Sequence, residues 1–244
     1  MITHRDFQFT SYQAVAFYVG LQFATSKLLR PMLQALDNVL DGDPISLPVP
    51  PEAPPEIPRV VLTNKDGSLR FDLSLARADM RWQRPDQGEM PLEGFTELAQ
   101  RAFESFHQAI QARPGRLALV VHRCKLEEQP GLALARHFCR PELLSNEPGR
   151  KGPLNRPEAF ELHAFKRYEQ GRFVLNSWVR SKSGTLTAPR GMQPIVLVEQ
   201  DLNTPQENLA ETQFTDGDVR DFHALCRGDL ETILRVYFPA EGGA

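Results

Sequence analysis

Residues 59–83 read RVVLTNKDGSLRFDLSLARADMRWQ. Arg59–Thr63 is a short β-branched run. Asn64-Lys65-Asp66-Gly67 follows with turn chemistry, because Gly67 tolerates the positive φ of a tight hairpin. Leu69, Phe71, Leu73 and Leu75 then alternate with Arg70, Asp72 and Ser74, the two-residue period of a half-buried strand. Ala78, Met80 and Trp82 alternate with Arg77, Asp79 and Arg81 in the same way. Three strands joined by short connections predict an antiparallel sheet.

Upstream, Tyr12–Phe23 (YQAVAFYVGLQF) is aromatic and β-branched with no helical stripe, which predicts a strand. Leu29, Met32, Leu33, Leu36 and Leu40 recur at helical steps. That pattern predicts a helix with Pro31 in its first turn and Gly42 at its end. Residues 43–58 (DPISLPVPPEAPPEIP) hold seven prolines. Proline fixes φ and donates no hydrogen bond, so this stretch reads as an extended linker or an excursion over the surface. Downstream, Leu92, Phe95, Leu98, Ala99, Ala102, Phe103, Phe106 and Ile110 form an amphipathic helix that Pro114-Gly115 ends.

The second half repeats this order. Leu117–Leu126 predicts a strand, Leu132–Phe138 a short helix, and the Gly/Pro-rich residues 145–157 a loop. Strands follow around Phe160–Phe165, Arg172–Lys182 and Pro194–Leu202, the first two joined at Gln170-Gly171. Val219, Phe222, Cys226, Leu230, Ile233 and Tyr237 mark the last helix, with Thr215 or Asp216 as its N-cap. Each half reads β-α-β-β-β-α, and DGSLRF (66–71) is echoed by QGRF (170–173). The expected fold class is α+β: two similar halves, residues 1–113 with the Pro-rich insert 43–58 and residues 114–244. Together they form one compact unit, its antiparallel sheet carrying helices on one face.

The chain has 244 residues, 41% hydrophobic and 24% charged, a composition that excludes disordered and collagen-like classes. No window holds about 18 uninterrupted apolar residues, so no transmembrane helix is expected. The opening MITHRDFQF lacks a basic region followed by an apolar run, so no signal peptide is expected. Three cysteines cannot all pair within the chain, which points to a reducing cytoplasm. The net charge of −3 hides an asymmetry: residues 136–190 carry 11 Lys or Arg against 5 Asp or Glu, whereas residues 199–231 carry nine acids against Arg220 and Arg227. The basic segment either presents a positive face or is neutralised by the acidic one within the fold.

A strand at Tyr12–Phe23, a strand–Lys-Asp-Gly turn–strand at Leu62–Phe71, a long helix at Leu92–Ile110, an apolar strand after a glycine at Arg116–Val121 and a C-terminal helix ending in an aromatic residue at Val219–Phe238 follow one another in this order. This succession resembles an uncharacterised, sporadically distributed bacterial family of α+β proteins of similar length. The resemblance spans most of the chain, and the insert at 43–58 departs from it. It implies the fold but brings no activity or catalytic residue. The family's patchy occurrence is similar to that of bacterial defence and toxin-related genes.

The sequence has no phosphate-binding glycine loop, GxSxG, HExxH or CxxC. His122-Arg-Cys124 and His137-Phe-Cys139 are two His-x-Cys pairs. On a helix, however, His137 and Cys139 lie about 200° apart and cannot close a site together, so no metal ligand is assigned. Asp72 and Asp79, in adjacent strands among Arg70, Arg77 and Arg81, would either hold Mg²⁺ or make cross-strand ion pairs, the usual arrangement on a sheet face. His107 and His223 read as boundary residues, and His163 as facing solvent or a cleft. No catalytic residue and no cofactor is expected.

The binding candidates are Lys166, Arg167, Arg172, Trp178 and Arg180. In a regular strand Arg172, Trp178 and Arg180 share a face, which could stack bases and hold phosphates or anchor a protein. Alternatively Trp178 lies beneath a helix. The expectation is a non-catalytic binding or assembly protein of a bacterial system, holding a protein partner. The alternatives are a nucleic-acid-binding accessory protein using residues 136–190 and a divergent metal-dependent nuclease. The unpaired edges of a large antiparallel sheet also admit a homodimer.

Overall fold

The computed structural model describes residues 2–240 except 37, 51, 148–149 and 189–190. Strand β1 (Gln8–Phe17) begins and ends earlier than its apolar composition suggests. Gly20, at φ 64°, turns the chain before Phe23, so Tyr18, Leu21 and Phe23 serve the core from a loop. Helix α1 (Thr25–Leu36) buries Leu28, Met32 and Leu36 at four-residue steps. Pro31 sits in its interior, not in its first turn, and the helix stops before Gly42. The Pro-rich stretch is more than a linker. Within it β2 (Ile45–Ser46) pairs with β3 (Val60–Thr63).

β4 (Leu69–Leu73) and β5 (Arg77–Gln83) continue the meander, followed by α2 (Leu92–Ile110), β6 (Arg116–Leu126), α3 (Pro130–Phe138) and the short α4 (Pro141–Leu144). The expected loop at 145–157 contains a small ladder of β7 (Asn146–Glu147) and β8 (Arg150–Lys151). Then come β9 (Glu161–Gln170), β10 (Phe173–Ala188), β11 (Gly191–Asn203) and α5 (Asp216–Tyr237). Thr215 caps α5: its hydroxyl accepts from the Asp218 N–H while the Asp218 carboxylate accepts from the Thr215 N–H. That reciprocal box satisfies two otherwise orphaned donors.

Among the described residues, nine strands form one antiparallel sheet in the order β2-β3-β4-β5-β1-β6-β11-β10-β9. The two halves follow the same route through it. In each, the strand that precedes the first helix lies beside the last strand of the meander, β1 beside β5 and β6 beside β11. The halves meet at β1–β6. Gly67 and Gly171 open the equivalent hairpins at φ 74° and 57°. Five residues beyond each glycine, Asp72 stands opposite Asp79 and Asn176 opposite Asn203.

The helices pack on one face. Tyr12, Ala14, Leu69, Phe71, Leu117 and Leu175 are buried there beneath α1, α2 and α5. Val179, Val196 and Val198 lie on the same side with Leu134 of α3 and Leu234 and Phe238. Gly115, ahead of β6, lies so close to the connection after β11 that a Cβ there would overlap the Leu209 carbonyl oxygen. Gly115→Ala is therefore expected to cost about 1–3 kcal/mol, the range for forced overpacking, measurable by urea denaturation.

Candidate binding face

Alternation sends every second strand residue to the face away from the helices. Registers align these residues in rows across the sheet. One row runs Gln83, Ser11, His122, Glu199, Arg180, His163 through β5, β1, β6, β11, β10 and β9. The next runs Arg81, Gln13, Val120, Asp201, Trp178, Phe165.

In the first row Ser11 Oγ lies 3.0 Å from His122 Nδ1, and His122 Nε2 lies 3.3 Å from Glu199 Oε2. Arg180 binds the other Glu199 oxygen. The His122 hydrogen bond and the Arg180 charge, against the effect of burial, lower the Glu199 carboxyl to about 2. A carboxylate only accepts, so Nε2 donates to it and, in a neutral ring, Nδ1 accepts from Ser11. The order Ser–His–Glu is that of a nucleophile triad. Acyl transfer also needs N–H donors aimed at the oxyanion; from Ser11 to Phe17 β1 is laddered on both sides, to β5 and β6, with an irregularity in the β6 ladder between Phe9 and Ser11. The row therefore reads as a polar strut across the sheet. The sequence hides it, because Ser11, His122 and Glu199 come from three distant segments.

In the second row Phe165 and Trp178 pack with ring centroids 4.6 Å apart, and the Arg180 guanidinium lies 5.1 Å from the indole centroid. Phe165 is 49% exposed. Trp178 is half-buried and away from the helices, so it does not lie beneath one. The other sequence candidates separate. Arg167 is on the same face but donates to Asn176 and Glu207. Lys166 is opposite Ser177 on the helix side. Arg172 is in the hairpin turn and pairs with Asp218 and Asp221 at the start of α5. Thus Arg167, Arg172 and Arg180 all pair with acids of residues 199–231.

At the β4–β5 end, Asp72 and Asp79 face each other but are engaged separately. Arg70 Nε donates to Asp72 at 2.8 Å, and Arg81 and Gln13 donate to Asp79. Burial raises the Asp72 pKa despite Arg70. Among the described residues, no group of three or more His, Cys, Asp or Glu is arranged to hold a metal ion. His137 Nε2 lies 2.7 Å from the Tyr237 carbonyl oxygen.

His107 and His223 are interior residues, not boundary ones, at 6% and 2% exposure. Tyr18 Oη lies 2.6 Å from His107 Nε2, and His107 Nδ1 lies 2.6 Å from Asp216 Oδ1. These hydrogen bonds tie the loop after β1 to α2 and α5. Burial drives the His107 pKa down although Asp216 opposes it, and burial with the Asp216 charge drives Tyr18 up.

The three cysteines are free thiols. No helix among the described residues is long and apolar enough to cross a membrane. Comparison of the chain with protein-family models, curated proteins and solved structures finds no match.

Proposed function

We propose that the protein is a non-catalytic binding or assembly protein of the cytoplasm that holds a protein partner on the helix-free face of its sheet. The observation that carries this reading is the Phe165–Trp178 pair, half-exposed and capped by Arg180. Aromatic and Arg side chains dominate binding hot spots, where a partner completes their desolvation. The charge pattern favours a protein over nucleic acid. Phosphate binding requires cations free to replace counterions, whereas Arg167, Arg172 and Arg180 are matched to Glu207, Asp218, Asp221 and Glu199.

Affinity purification of the tagged chain from its host, compared with Trp178→Ala and Lys65→Ala, tests this. A stoichiometric protein retained by Lys65→Ala and lost with Trp178→Ala is expected, since truncating a hot-spot aromatic costs at least about 2 kcal/mol. Fluorescence anisotropy with a labelled single-stranded oligonucleotide should show negligible binding at roughly 50 mM salt, where phosphate contacts are strong. Salt-sensitive oligonucleotide binding weakened by Arg180→Ala would replace this reading with the nucleic-acid one.

A further inference from the structure

The two edges of the sheet are built differently. At one, β2 has two residues and is flanked by Pro44 and Pro48, a device that blunts an edge. At the other, β9 offers ten residues without proline and, among the described residues, is bonded on one side only, to β10. Gln170 and Phe173 close a two-residue hairpin, and such a closing pair exchanges both of its hydrogen bonds. The even-numbered residues of β9 therefore spend their backbone groups on β10. The Ser183 N–H donation to the Phe160 carbonyl continues that parity. Glu161, His163, Phe165, Arg167 and Glu169 direct theirs outward, unpaired in the ladder.

We propose that a second copy of this chain occupies that edge, β9 pairing antiparallel with its partner's β9 about a two-fold axis through Ala164, so that the two sheets become one. Charge and size select the register. With Ala164 on the axis, Glu161 faces the partner's Arg167, a guanidinium that also holds Glu207 of its own chain, and His163 faces the partner's Phe165. The two alanines form the non-hydrogen-bonded pair, whose side chains come closest. Moving the axis to Phe165 sets Glu161 against the partner's Glu169. Moving it to Lys166 presses two lysines together, and moving it to His163 leaves only five residues of each strand paired. Like charges directly opposite are destabilising.

The helix side of the edge is also unfinished. Two clefts, of about 920 and 380 Å³, border β9 at Leu162 and at Ala164, and both are lined by Val236 of α5. Val236 is 74% exposed. The same two-fold places the partner's Leu162, Ala164 and Val236 on this side. On the other side it makes the two Phe165–Trp178 faces continuous. The dimer does not depend on what that face binds.

Light scattering on the full-length chain at roughly 50 µM, well above the dissociation constants of micromolar complexes, should give a dimer. In a Cys139→Ser background, Ala164→Cys should cross-link to its own copy under mild oxidation, whereas Phe165→Cys alone should not. Phe165→Pro removes an outward N–H, which an edge strand tolerates, together with an exposed ring whose packing is on Trp178 and not on the helix-side core. It should therefore keep the far-ultraviolet circular dichroism of the parent and become monomeric. Glu161→Arg should weaken the dimer about tenfold or more, and E161R/R167E should recover it. A monomer at that concentration, a dimer that Phe165→Pro leaves intact, or self-cross-linking at Phe165→Cys in place of Ala164→Cys would overturn the proposal.

Discussion

Phe103→Ala is expected to destabilise the protein by about 3–5 kcal/mol, the range for truncating a buried Phe. Phe103 is 1% exposed at the centre of α2. Its ring lies 5.9 Å from Phe71 on the sheet and 6.2 Å from His223 on α5. Removing it opens a cavity where helix, sheet and second helix meet. Urea denaturation of the variant should show a lower midpoint at an unchanged slope. A loss below about 1 kcal/mol, the scale of an ordinary substitution, would show that the α2–sheet contact is not the centre of the core.

The second large effect is on pH dependence. His223 is fully buried between Phe103 and Phe222, and its Nδ1 has no hydrogen-bond partner. Burial, with the Arg227 charge adding to it, pushes its pKa down to about 3. The unfolded chain binds that proton near pH 6.5, so between these values the unfolded state holds more protons than the folded one. Stability from this group is therefore complete above about pH 6.5 and falls by up to roughly 1.4 kcal/mol per unit as the pH drops toward 3. His107 acts in the same direction. Glu199 does so only below the ordinary carboxylate range. Asp72 and Asp201, raised above the ordinary Asp value by burial, act in the opposite direction. Compared with the parent, His223→Leu should therefore markedly flatten the dependence of melting temperature on pH below about pH 6.5. An unchanged slope in His223→Leu would place the acid sensitivity elsewhere.

The elements that read well from the sequence are those whose burial follows a local period. Leu92–Ile110 forms a helix over the residues its stripe marks, because one face meets the sheet along its whole length. The alternation at 69–73, 77–83 and 173–179 assigns faces correctly, since a strand with one buried side cannot slip by one residue, whereas Leu75, read with the first strand, lies in the turn after it. Thr215 and Gly67 are local chemistry and are legible as such. The main helices and strands of both halves are likewise legible, though not β2, α4 or the β7–β8 ladder, nor the strand order, which depends on which edges meet.

Tertiary structure alone decides what distance in sequence conceals. The partners of Ser11, Arg172 and Tyr18 lie on elements that come together only when the sheet closes. His107 and His223 read as boundary residues because a single helix wheel shows one packing face, whereas α2 and α5 also bury the side that each turns to the other. The binding candidates divided for the same reason. Lys166, Arg167 and Arg172 are neighbours along the chain, but strand alternation and the hairpin turn send them to the helix side, the open face and the N-terminus of α5. Composition and period determine which residues are buried; the register of nine strands determines which of the exposed ones stand together.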